Sequence, residues 1–143
     1  MRFSAAVVVL LTLGLAGVSS SAVQDRAKST SDGVYSDAQA KRGEAAYAKS
    51  CASCHGPDLT GVDAAPSLTG PEFNAGWNDL TLDDLFERVR TTMPADAPGA
   101  LTRDQYTDII AFILSRDGFP PGSGDLPSDN PTLKQIKFTG KKP

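Results

Sequence analysis

Histidine occurs once in this chain, at His55, and cysteine twice, at Cys51 and Cys54. A structural zinc site needs about four nitrogen or sulfur ligands, and these three fall short. A thioredoxin-like thiol pair needs a βαβ surrounding, whereas the flanks here read as helix and loop. Basic residues form no stripe: Lys and Arg number 14 against 17 Asp and Glu, for a formal charge of −3. That excludes nucleic acid as a partner. The longest apolar run, Ala5 to Val18, has 14 residues, short of the roughly 20 that span a bilayer.

That run is nevertheless informative. Arg2 precedes it and Ser20-Ser21-Ala22 follows it. A short positive region, an apolar core and small residues fit a secretory signal peptide over residues 1–22. An uncleaved N-terminal anchor is the alternative. Cleavage after Ala22 removes Arg2 and leaves 13 basic against 17 acidic side chains. The mature chain is then expected in the periplasm or another exported compartment, with no stable membrane span.

The scarce residues are concentrated. Cys51-Ala52-Ser53-Cys54-His55 has the spacing of covalent c-type haem attachment. Each thiol adds across one porphyrin vinyl group, and the adjacent imidazole becomes the first axial ligand of the iron. A plain disulfide between Cys51 and Cys54 would give His55 no reason to be there. The expected cofactor is one haem c, with iron.

Around this motif the chain reads as helices and loops. Residues 23–35 are polar and aperiodic, and are expected to be a linker. Ser36 and Gln39 make a capping box for a helix over about 37–49. Gly43 is costly inside it; it is either a bare patch where another helix crosses, with Tyr47 one turn on, or a tolerated weak spot. Glycines and prolines punctuate 56–72 as loop. Pro66 either presents a carbonyl to the second ring nitrogen of His55 or only shapes the loop. Phe73 and Trp77 close over an apolar object, a porphyrin or the ordinary core.

Thr81 opens a second helix over about 82–90, with Leu82, Leu85, Phe86 and Val89 on one stripe. Met93-Pro94 ends it. Met93 is the only methionine besides Met1, and Pro94 restricts it to extended geometry. A thioether is a soft axial ligand of the kind that stands opposite histidine. A lone methionine can equally fill a core gap, which would leave the iron five-coordinate. Thr102 and Gln105 cap a third helix over about 103–116, with Tyr106, Ile109, Ile110 and Ile113 as its apolar stripe and Gly118 as its stop. The proline-bearing tail, 119–143, is expected to be extended, partly disordered or a strap anchored by Phe119, Leu126, Leu133, Ile136 and Phe138.

From Ser36 to Gly118 this order resembles a class I c-type cytochrome. The resemblance implies an all-α fold of three to four helices wrapped around one haem, with 36–118 as the haem domain and the tail outside it. It implies that Gly43 and Tyr47 meet Ile109 and Phe112 where the terminal helices cross. It also implies that Pro66 accepts from His55, that Trp77 packs on the haem and that His55 and Met93 are the axial pair. The stretch Phe112 to Pro120 is similar to the end of single-haem cytochromes associated with bacterial quinoprotein dehydrogenases.

The expected function is one-electron transfer between redox proteins. A quinoprotein dehydrogenase would be the donor, and a terminal oxidase or another cytochrome the acceptor. The alternatives are a haem subunit of a larger dehydrogenase or oxidase, and a five-coordinate haem enzyme or gas-binding protein with Met93 off the metal.

Overall fold

The computed structural model describes residues 28–140. The segment read as a signal peptide, and the first part of the expected linker, lie outside the described residues. Among the described residues six α-helices follow in order: α1 (Asp37–Ser50), α2 (Ala52–His55), α3 (Gly70–Trp77), α4 (Leu82–Thr92), α5 (Arg103–Arg116) and α6 (Asn130–Leu133). Strand pairing among the described residues is confined to isolated bridges of Lys137 with Ser29 and Thr81. The fold is the all-α, small class I cytochrome c type. No helix among the described residues is long and apolar enough to cross a membrane.

The three long helices start where the polar caps stand. Ser36, Thr81 and Thr102 each accept a hydrogen bond from the N–H three residues on, which satisfies one of the open donors of a first turn. At Thr81 and Thr102 the reciprocal half of the capping box is also made, by Asp84 and Gln105. At Ser36 it is not. The Gln39 side chain, 2% exposed, turns away to the chain beyond α5. Its amide nitrogen donates to the Leu126 carbonyl at 3.0 Å and its oxygen accepts from the Leu126 N–H at 2.6 Å. A buried amide is held best where both ends find backbone partners.

α1 crosses α5 at Gly43. A Cβ built there would lie 2.9 Å from Cβ of Phe112 and far inside contact with the Asp108 carbonyl oxygen. Glycine is therefore required by the closeness of the two backbones. Tyr47, one turn on, stacks obliquely on Phe112 with ring centroids 5.3 Å apart. α5 carries more than the expected stripe: Ile109 to Leu114 are all buried. A helix apolar on every side must be covered on every side, and buried residues from outside 36–118 join the same core cluster.

The linker reading of 28–35 is corrected here, and of the readings of the tail the strap with its five anchors is the one observed, with the short helix α6 in place of a wholly extended course. Residues 28–35 are packed against the body, not a loose linker. Thr30, Val34 and Tyr35 are buried, and the Tyr35 hydroxyl donates to the Phe119 carbonyl at 2.6 Å. The described part of the tail, 119–140, is an integral strap. Phe119, Leu126, Leu133, Ile136 and Phe138 are each no more than 3% exposed. Phe138 meets Phe119 and Phe73 edge-on at 5.5 and 6.0 Å. Backbone bonds from Leu82 N–H to Ile136 O and from Phe138 N–H to Leu80 O tie the strap to the start of α4. Arg42 binds Asp108 and Asp125 at 3.0 and 2.7 Å, and the hydrogen bond from the Ser36 hydroxyl, with that from Arg42, holds the Asp125 carboxyl below the usual carboxylate range.

Candidate haem site

The Cys51–His55 stretch grows directly out of α1. Cys51 N–H donates to the Tyr47 carbonyl at 2.9 Å, ending the helix. His55 N–H then donates to the Cys51 carbonyl at 2.9 Å, closing one tight turn. Residues three and four apart on a helical turn share a face, so both thiols and the imidazole sit on one turn. The Tyr47 hydroxyl donates to the Gly56 carbonyl at 2.6 Å and pins the end of that turn. Burial beside Cys51 pushes the Tyr47 phenol up to about 12.

The loop after the turn doubles back on it. Leu59, fully buried, is its apolar anchor: its carbonyl accepts from Leu68 N–H at 2.8 Å and from the Ser67 hydroxyl at 3.1 Å. Gly61 N–H donates to the His55 carbonyl at 2.9 Å. Gly61 has φ +80° and the Pro66 carbonyl carbon would lie 2.9 Å from any Cβ placed on it. A side chain there would be strained and crowded. The bend it allows brings Pro66 back over His55, whose Nδ1 is 2.9 Å from the Pro66 carbonyl oxygen. A carbonyl can only accept, so Nδ1 carries the proton and donates. In the neutral ring that tautomer keeps the lone pair on Nε2, the arrangement a metal-binding imidazole needs.

The cysteines are free thiols, Cys51 half-buried and Cys54 exposed. Burial, with Cys54 nearby, pushes the Cys51 thiol up to about 11. Among the described residues no three His, Cys, Asp or Glu side chains come together as a metal site. Two thiols and a pre-oriented imidazole on one turn fit a covalently attached haem.

Met93 stands on a separate element. It is half-buried and follows the last turn of α4 with extended backbone, φ −128° and ψ 151°, as the following proline requires. Its N–H donates to the Val89 carbonyl at 2.8 Å. Phe73 packs on Phe138 of the strap as well as on Trp77, at 6.0 and 6.2 Å, so Phe73 belongs to the protein core. Trp77 is half-buried beside it.

Three contributors to the site escape a sequence reading. Leu59 and Gly61 act through loop geometry. Asp117, 1% exposed at the end of α5, accepts from the Gly70 N–H at 2.9 Å and so caps α3, whose own Thr69 makes no side-chain cap. A charge pattern was countable but is meaningful only on the fold: Lys49 and Arg88 bracket a stretch with acidic side chains and no basic one. Asp58, Asp63, Glu72 and Asp79 within it are exposed. A cavity of about 550 Å³ lies elsewhere, lined by Gln39, Arg42, Asp108 and Asp125 among others, where the strap crosses α1 and α5.

Residues 38–113 match the family model described as cytochrome c oxidase, cbb3-type, subunit III. Cytochrome c-551 of Bacillus subtilis is 33% identical over 86 residues, covering 60% of this chain and 70% of that protein. Cytochrome c-553I of Paracoccus denitrificans is 29% identical over 97 residues, 64% of this chain and 41% of that one. The cbb3-type cytochrome c oxidase subunit CcoP of Rubrivivax gelatinosus is 29% identical over 79 residues. The match covers 54% of this chain, which spans only 26% of CcoP. The chain belongs to this family of c-type cytochromes and carries covalently bound haem c.

Proposed function

We propose that the protein is an exported single-haem electron carrier, anchored through Cys51 and Cys54, with His55 and Met93 as the axial ligands. The observation that carries this reading is the His55 ring, held by the Pro66 carbonyl with Nε2 free to ligate. The haem supplies one-electron exchange between ferrous and ferric iron. Pro66 fixes the orientation of the imidazole and increases its basicity as a ligand. Met93 offers a soft sulfur that favours the ferrous state and so raises the reduction potential. With His55 and Met93 both holding the metal, neither would handle a proton, and the chemistry supplied would be electron exchange alone. The chain has no second histidine to serve as an acid or base.

The order of Arg2, apolar run and small residues in 1–22 supports export. The partners are redox proteins: a quinoprotein dehydrogenase as donor, and a terminal oxidase or another cytochrome as acceptor. The exposed carboxylates of Asp58 and Asp63, close in sequence to the motif, favour a partner with a basic face. A second reading, a haem subunit of a larger oxidase or dehydrogenase, draws on the similarity of this chain to part of CcoP.

A carrier titrates reversibly with one electron, and its ferrous spectrum is unchanged by carbon monoxide. Its reduction by a cationic reagent slows as salt is added, because screening removes the attraction. Carbon monoxide binding with peroxide turnover by the wild-type protein would instead establish the open-site enzyme. A salt-independent rate would remove the basic-partner element.

A further inference from the structure

Tyr106 lies on α5, the neighbour of α4, and is 1% exposed. Its hydroxyl donates to the Met93 carbonyl at 2.8 Å. Both backbone polar groups of Met93 are therefore held, the N–H by Val89 within α4 and the C=O by a side chain from α5. The loop that follows, 95–100, is exposed, so the grip on Met93 from its C-terminal side comes from Tyr106.

The Tyr106 ring is itself fixed. It meets Phe86 edge-on, with centroids 6.4 Å apart and planes at 87°. Phe86 is fully buried, and the Arg103 guanidinium lies over its ring at 4.4 Å. Arg103 is anchored in turn to the strap, donating to the Ser128 carbonyl at 2.8 Å and to Oδ1 of Asn130 at 2.7 Å. Methionine has three rotatable side-chain bonds and little shape of its own. Where its sulfur points depends on how firmly its backbone is set.

We propose that Tyr106 is a positioning residue for Met93: its hydroxyl, clamped through Phe86 and Arg103, fixes the Met93 backbone and so aims the sulfur at the iron. This inference rests on the reading of Met93 as the axial ligand. Removing the hydroxyl leaves the Met93 carbonyl without that donor and frees the end of α4 to move. The sulfur then competes less well with an added ligand.

The test compares haem-loaded Tyr106→Phe with Tyr35→Phe. The second variant also deletes a buried hydroxyl that donates to a backbone carbonyl, that of Phe119 at 2.6 Å, but on the strap side of α1. Both variants should lose similar thermal stability. Only Tyr106→Phe should weaken the sulfur-to-iron absorption band of the ferric protein and bind added imidazole more tightly, by roughly fivefold, as expected for one lost hydrogen bond. Equal imidazole affinity and equal band strength in the two variants and the wild type would overturn the proposal. If Met93→Ala leaves the wild-type band unchanged, the ligand reading fails and the positioning role falls with it.

Discussion

Gly43→Ala lowers the thermal midpoint of the haem-loaded protein by about 12 °C, a loss of about 3 kcal/mol. The sign is the informative part. At an exposed helical position the same change gains up to about 1 kcal/mol, because alanine is the better helix former. At Gly43 the new methyl group would meet the backbone carbonyl of Asp108 and Cβ of Phe112. Neither is the flexible end of a side chain, so α1 and α5 must move apart. Separation pulls Tyr47 from Phe112 and disturbs the Cys51–His55 turn that Tyr47 holds. Gly76 is the control. It lies in α3 with nothing within 4 Å of a built Cβ, and Gly76→Ala should be neutral or stabilising. Differential scanning calorimetry of both variants checks the pair. A stabilised Gly43→Ala protein would mean that the two helices do not cross at this residue.

Phe138→Ala costs about 3–5 kcal/mol, the range for deleting a buried aromatic side chain, and lowers the midpoint by about 12–20 °C. Phe138 is fully buried between Phe73 of α3 and Phe119 at the start of the strap. The rings meet edge-on, an arrangement that adds to simple burial. Losing the Phe138 ring opens a cavity at the point where strap, α3 and the end of α5 meet. Lys134→Ala, also on the strap but with its side chain 65% exposed and 3.9 Å from Asp83, should shift the midpoint little. Chemical denaturation of the two variants separates a structural strap from a detachable tail. Near-equal stability of Phe138→Ala and the wild type would restore the tail reading.

What could be read from the sequence follows the range of the interactions. Ser36, Thr81 and Thr102 start their helices through bonds three residues long, and all three helices begin as expected. The Cys51–His55 turn is equally local. α3 was not legible. Gly70, Pro71 and Gly76 make it look like loop, and its cap comes from Asp117, 47 residues away in sequence. Gln39 shows the same competition in reverse: a local capping bond was available, but Leu126 offers its amide a buried partner at each end. The five strap anchors stand out as apolar residues in a polar tail. Their destination depends on how much of α5 needs cover, which the helical stripe alone understates. Polar composition likewise hid the docking of Thr30, Val34 and Tyr35. Pro66 was a choice between two roles, and the bend at Gly61 decided it.

Whether the iron is held between His55 and Met93 is read by iron X-ray absorption of the ferric, haem-loaded protein. The expected result is one sulfur in the inner shell beside nitrogen, present in the wild type and lost in Met93→Ala, with the ferrous variant then binding carbon monoxide. A shell of nitrogen and oxygen alone in the wild type, unchanged by Met93→Ala, would contradict it.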